Sequence, residues 1–335
     1  MFTIPMFGRF AYLKPNIQEN IMNHRFRNVV IALLLVAGIV APVWLWMRTP
    51  LPENPLASAI SGPTPISGTL AVAVDRSLTP VAEIQANAFS EQYPNATIKL
   101  TSQSSRPILQ LLEHRVAAAL IEGALSARED SLLATLKRPV KRQPVARNGL
   151  VLVVNRANPA RSVSVAELKA VFSGQVNNWQ SLGGSPGKIV ACLDGSNLRA
   201  RVLLSEMLSV KADSLVASAE ADMPRLLNRV RDDRNAAAVM TLPAYAAALR
   251  SGGYAGRIKA LPVSASAGGE PPVEASPETI YTGAYPLSTD IFYLYDPYDP
   301  LATGFGAWLA KEGQKLFERG DMAPYEQLVR TIILK

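Results

Sequence analysis

The longest uninterrupted apolar run covers residues 29–47 (VVIALLLVAGIVAPVWLWM) and holds no Lys, Arg, Asp or Glu. Its length approaches the ~20 residues a helix needs to cross a hydrocarbon core. Trp44 and Trp46 sit at its far end, where an interfacial aromatic belt would lie. Beyond it the pattern changes to short apolar runs alternating with helical periodicity. Residues 70–74 predict a buried strand. Thr79 reads as an N-cap with Pro80 at the first helical position, and Val81, Ile84 and Ala88 follow at helical spacing to about Tyr93. Residues 96–101 read as a second strand. Ile108, Leu111, Leu112 and Val116 predict a second helix, and residues 117–121 either continue it or form a third strand.

The alternation continues. A basic, proline-punctuated break at 137–144 precedes a buried strand at 149–155, and Ser164 with Glu167 forms a capping box ahead of a helix ending at Ser173-Gly174. A strand at 188–193 leads into a helix after Ser196 with Val202, Leu203 and Met207 inward. Strands are predicted at 236–240, 258–263 and 291–295, a polar loop at 264–278, and one terminal helix over 301–317. Strand and helix in turn predict α/β layers with largely parallel sheets.

The expected organisation is a cytoplasmic tail (1–28), a transmembrane signal-anchor helix (29–47), a proline-rich linker (48–65) and a large outer region from 66 onward. Arg25 and Arg27 precede the apolar run and Arg48 alone follows it, so the positive-inside rule puts the outer region in the periplasm or outside the cell, on a single-pass anchor in the bacterial inner membrane. A cleaved secretory signal is the alternative, with Ala57-Ser58-Ala59 as an A-x-A-like site, and Met22 as an alternative start.

Composition narrows the function. The chain has 335 residues and a net charge of +7, but no basic stripe or nucleic-acid module accompanies the charge, so no nucleic-acid partner is expected. One cysteine and two histidines exclude a disulfide framework and a Cys- or His-rich metal centre. Gly183 to Lys188 has the wrong spacing for a phosphate-binding P-loop, and Ser185 with Lys188 is an isolated S-x-x-K in a Gly/Pro loop. No catalytic residues, cofactor or metal are assigned, and an enzyme is not expected.

Four phrases carry a family likeness: Phe89 with Tyr93-Pro94-Asn95; the run from Gly149 through Asn155, Asn158-Pro159, Phe172-Ser173-Gly174 and Asn178-Trp179; Gly195-Ser196 with Arg199; and Gly283-Ala284-Tyr285-Pro286-Leu287-Ser288, followed by Glu312-Gly313-Gln314-Lys315. In this order they resemble the PstS-like phosphate-binding proteins of ABC transporters. The resemblance implies a two-lobed, type II-like periplasmic-binding-protein fold, with 66–146 and 256–335 as lobe 1 and 147–255 as lobe 2. It further implies a small anion, phosphate or a related ion, held between the lobes for an ABC permease.

A free oxyanion is held best by helix N-termini and small hydroxyl residues, with a guanidinium added. The candidate ligand set is Ser77, Ser104, Ser105, Arg106, Ser196 and Arg199, although each serine also suits an ordinary N-cap. The chain departs from the family pattern at several points. The glycine-rich stretch before the second helix is replaced by residues 101–107, residues 117–123 (Ala117 to Glu122-Gly123) lack the expected acidic acceptor and the Ser-Arg that follows it, and Leu198 and Thr289 replace a hydroxyl and an arginine. The expectation is a retained fold with a degraded or retuned phosphate site. The alternative function is an accessory or sensory subunit of a cell-envelope complex.

Overall fold

The computed structural model describes residues 62–102, 107–135, 139–266 and 270–326. The predicted membrane segment, nearly all of the linker, and Ser104, Ser105 and Arg106 lie outside them. Among the described residues no helix is long and apolar enough to cross a membrane.

The chain opens with β1 (Gly68–Val74), a 3-10 turn (Arg76–Leu78), α1 (Thr79–Gln92), β2 (Ala96–Thr101), α2 (Pro107–Leu112), β3 (Ala118–Glu122), α3 (Ala127–Ala134) and the long β4 (Lys141–Asn155). Next come β5 (Val163–Ser164), α4 (Val165–Phe172), β6 (Val190–Asp194), α5 (Leu198–Met207), β7 (Ser218–Glu220), α6 (Met223–Asp232), β8 (Ala236–Thr241) and α7 (Leu242–Arg250). The described part ends with β9 (Ile258–Leu261), β10 (Val263–Ser264), α8 (Pro277–Tyr281), β11 (Ser288–Tyr295), α9 (Pro300–Ala310), α10 (Gln314–Arg319) and β12 (Ala323–Pro324).

The main sheet has the order β2-β1-β3-β11-β4-β8-β6-β7, with β12 and β9 also pairing with β4. It is mixed rather than largely parallel. β1, β2 and β3 run parallel, as do β6, β7 and β8, but β11 and β4 pair antiparallel with their neighbours. β4 belongs to both halves of the sheet. Residues 141–149 pair with β11, and residues 150–154 pair with β8. This divides the fold into two lobes sharing one strand. The first lobe packs α1, α9 and α10 on the sheet through Phe89, Phe305, Trp308, Phe317 and Tyr293, with Phe89 and Phe305 in edge contact at 5.3 Å. The second buries the apolar end of β4 with Leu168, Phe172, Trp179, Leu203 and Leu226.

Several expectations change for local physical reasons. Thr79 is not the N-cap; the 3-10 turn runs straight into α1 and Leu78 takes that place, leaving the Thr79 hydroxyl buried without a partner. Residues 118–122 form a strand, and Val116 lies in the turn before it. β4 starts eight residues before the predicted 149, through Pro144. Proline removes a ladder donor, and here the register with β11 shifts between Ile291 and Phe292, which face Ala146 and Pro144 respectively. The capping-box helix α3, entered at Ser126 and Glu129, buries no side chain, so it left no apolar stripe to read. On α5 the buried face is Leu203 and Leu204; Val202 and Met207 are only half-buried. The single terminal helix is two, parted at Lys311–Gly313, where Gly313 approaches the Gln85 side chain.

The phrases that carried the family likeness hold this frame together. Tyr285 is fully buried and donates to the Leu150 carbonyl at 2.7 Å, pinning the chain before β11 onto β4. Trp179 Nε1 donates to the Asn235 carbonyl at 2.9 Å. Gln314 donates to the carbonyls of Val145 (2.7 Å) and Leu309 (2.5 Å) and accepts from the amides of Tyr325 (2.8 Å) and Glu326 (3.3 Å). One buried amide thus joins α9, α10, β4 and the segment after β12. Gln314→Leu leaves several of these backbone groups unsatisfied and is expected to destabilise the full chain by about 2–4 kcal/mol. Urea unfolding followed by circular dichroism checks this; an unchanged midpoint would contradict it.

Candidate functional site

In open α/β sheets, ligands bind outside the carboxyl ends of the strands. Both lobes present such ends here. In the first, β1 delivers Asp75, Arg76 and Ser77, and β3 delivers Glu122. In the second, β6 delivers Asp194 and Ser196, and β8 delivers Thr241. A cavity of about 320 Å³ lies between them, lined by Arg76 and Ser77 on one side and by Asp194, Ser196, Asp222 and Thr241 on the other. Two of the predicted ligand residues, Ser77 and Ser196, therefore share one cavity although they are far apart in sequence.

Behind Ser77 lies a buried acidic cluster. Glu122 is fully buried; its carboxylate accepts from Ser77 Oγ at 2.8 Å and from Asn148 Nδ2 at 2.6 Å. Asp75, 4% exposed, accepts from the Glu122 amide at 2.8 Å. Burial pushes the Glu122 carboxyl up to about 7, with the neighbouring Asp75 adding to the rise and the Ser77 and Asn148 donors and Arg199 opposing it. Burial also lifts Asp75 to about 6, against the Glu122 amide and Arg199. Removing a carboxylate from water disfavours its charged form more than these donors restore it.

Arg199 is bound across the cleft. From the first turn of α5 it donates through Nε to the Glu122 carbonyl (2.6 Å) and through Nη2 to the Ala124 carbonyl (2.5 Å). It also lies 3.9 Å from Asp75 and 3.7 Å from Glu129. Its forked donors thus tie the second lobe to the first instead of pointing into the cavity. The same junction requires a glycine. Gly123 has φ +81°, and a Cβ there would stand 2.1 Å from Leu203 Cδ2 of α5.

The hydroxyls are engaged too. Ser196 donates through both N (2.8 Å) and Oγ (2.7 Å) to Asp194 Oδ1. The N-terminus of α5 is capped by Asn197, whose side chain accepts from the Ala200 amide at 3.1 Å. Each serine hydroxyl therefore presents lone pairs, not its proton, to the cavity. Sequence reasoning noticed Glu122 only as a departure and missed Asp75, Asn148, Asp194 and Asp222. The available signal was a charged residue closing an apolar strand run: Asp75 after 70–74 and Glu122 after 117–121. Among the described residues no group of three or more His, Cys, Asp or Glu side chains could hold a metal ion.

A family profile described as the PBP superfamily domain matches residues 59–312. The chain belongs to the PBP superfamily. Within it, "Phosphate-binding protein PstS 2" of Streptococcus pneumoniae is 31% identical over 118 residues, covering 35% of this chain and 38% of that protein. PstS of Bacillus subtilis is 25% identical over 168 residues, covering 49% and 53%. The match thus spans about half or less of these relatives' lengths. A Clostridium perfringens protein crystallised with bound phosphate shares the fold, with a TM-score of 0.63 at 20% identity over 77% of this chain and 100% of that one. An ABC-type phosphate transport receptor from Vibrio cholerae does so at 0.61 and 17%, over 76% and 99%. The periplasmic-binding-protein frame expected from the motifs is therefore present.

The raised Glu122 carboxyl of this PBP-superfamily chain carries a stability consequence. Below about pH 7 the folded chain holds a proton on Glu122 that the unfolded chain releases from its ordinary value of 4.5 upward. Stability from this group is complete below about 4.5 and is lost as pH rises through about 7, with a limiting slope of about 1.4 kcal/mol per pH unit. Asp75 acts in the same direction at lower pH. Glu122→Gln keeps a partner for both Ser77 and Asn148 without the charge; it is expected to flatten this slope and exceed the parent's stability above pH 7. Chemical unfolding of both chains across pH decides; parallel pH profiles would contradict the assignment.

Proposed function

We propose that the chain is a solute-binding protein that takes phosphate or another small oxyanion between its lobes and presents it to an ABC-transporter permease. The observation that carries this reading is the shared cavity at the carboxyl ends of β1 and β6, lined from opposite lobes by Ser77 and Ser196. The PstS relatives, named as phosphate-binding proteins, support the ligand class. In this reading Ser77 and Ser196 contact the anion, and Ser104, Ser105 and Arg106, just ahead of α2, complete its surround. Arg199 stabilises the closed lobes by the carbonyl contacts described. The work is binding and lobe closure rather than bond making. Residues 29–47 anchor the protein in the inner membrane and hold the lobes outside it, which suits delivery to a permease in the same membrane.

Calorimetric titration of the full chain with inorganic phosphate at about pH 6, where both buried carboxyls are substantially protonated, tests the reading. Saturable binding of one phosphate per chain is expected. Ser77→Ala and Ser196→Ala each remove a hydroxyl whose proton turns from its carboxylate to the anion on binding, and each is expected to weaken binding by roughly 10- to 150-fold, the worth of one hydrogen bond to a charged group. Absence of binding, or affinity unchanged in both variants, would overturn the proposal.

A further inference from the structure

We propose that an oxyanion enters this cleft together with one proton, taken up by Glu122, whose carboxylate otherwise competes with the ligand for the hydroxyl proton of Ser77. The inference rests on the anion-binding reading above and specifies how the site must change to accept the anion.

The geometry sets up the competition. Ser77 lines the cavity, yet its hydroxyl donates its single proton to Glu122 Oε2, with Oγ 2.8 Å from that oxygen. If Ser77 turned that proton toward an anion while Glu122 stayed ionised, a fully buried carboxylate would keep Asn148 as its only side-chain hydrogen-bond donor among the described residues. It would also face a second negative charge across the hydroxyl. Protonation removes both costs. The neutral carboxyl donates its O–H to Ser77 Oγ, and the Ser77 proton turns to the anion. The chain of donors becomes Glu122 to Ser77 to ligand. One solvent proton is consumed and no covalent bond to the anion forms or breaks.

The surroundings favour that uptake. Around Glu122, β1 and its turn contribute Asp75, Arg76 and Ser77, β4 contributes Asn148 and Arg147, and β11 contributes Asp290, ion-paired with Arg147 at 3.2 Å. From α3 comes Glu129, and from α5 come Arg199 and Glu206. The Arg199 guanidinium is thus shared among Asp75, Glu122 and Glu129, and Glu206 also feels its charge. Arg147 is committed to Asp290 and the Tyr281 carbonyl. Arg76 is exposed at the rim of the cavity. An added anion meets a cluster already in excess of negative charge, so neutralising one carboxyl is the least costly response. The raised titration of Glu122, near neutrality, makes its proton available under ordinary conditions.

The experiment is calorimetry of the full chain and of Glu122→Gln with inorganic phosphate from about pH 6 to about pH 9, repeated in two buffers of different ionisation heat. The wild-type chain is expected to take up close to one proton per phosphate above pH 7, beyond that of phosphate itself. Its affinity relative to Glu122→Gln should fall by about tenfold per pH unit there. A constant affinity ratio without excess proton uptake would overturn the inference while leaving phosphate binding intact. Failure of both chains to bind phosphate at any pH would overturn this inference and the anion reading together. Proton uptake by the wild-type chain alone decides the matter if the variant does not fold.

Discussion

The arrangement of the cleft depends on the placement of one carboxylate out of water at the meeting of two lobes. Glu122 closes β3, has no exposed surface, and is satisfied by a hydroxyl from the β1 turn and an amide from the shared strand β4. A buried carboxylate without such partners costs several kcal/mol. Ser77, Asn148 and the ends of β1, β3 and β4 are therefore fixed relative to one another. Its own carbonyl accepts Arg199 from α5, so the same residue also receives the second lobe. Fold, lobe contact and cleft chemistry converge on a single side chain and its peptide.

This convergence limits what the cleft offers a ligand. A site built for an oxyanion supplies donors without nearby fixed negative charge. Here the two cavity serines spend their protons on Glu122 and Asp194, and the guanidinium on α5 spends its fork on carbonyls of the first lobe. The PBP frame is intact while its donors are internally occupied. At Glu122, one of the points where the sequence departs from the family pattern, the structure places a buried carboxyl at the meeting of the lobes.

Much of the frame was legible because its signals are local. The apolar runs at 70–74, 96–101 and 236–240 and the Ser164–Glu167 capping box correspond to β1, β2, β8 and the start of α4. What escaped was set by tertiary context. Pro144 read as a break because sequence cannot show the register shift opposite Ile291 and Phe292 that accommodates it. The helix α3 escaped because it buries no side chain. At the site, Ser77 and Ser196 were legible as residues ahead of helices, and they do line one cavity. Where their protons go was not legible, since that depends on Glu122 and Asp194 being within 3 Å in the fold. Arg199 was read as a ligand residue from its place on the first turn; only the neighbouring lobe reveals the carbonyls that occupy it.

Infrared difference spectroscopy tests the central claim most directly. The carboxyl C=O stretch of Glu122 is followed on the ligand-free full chain as pH is raised, and is assigned by its loss in Glu122→Gln. The account predicts that this band persists well above the ordinary carboxylate range and disappears around pH 7. Disappearance near the ordinary glutamate value of 4.5 would show a hydrated, freely ionising carboxylate and would contradict the buried carboxyl on which the account rests.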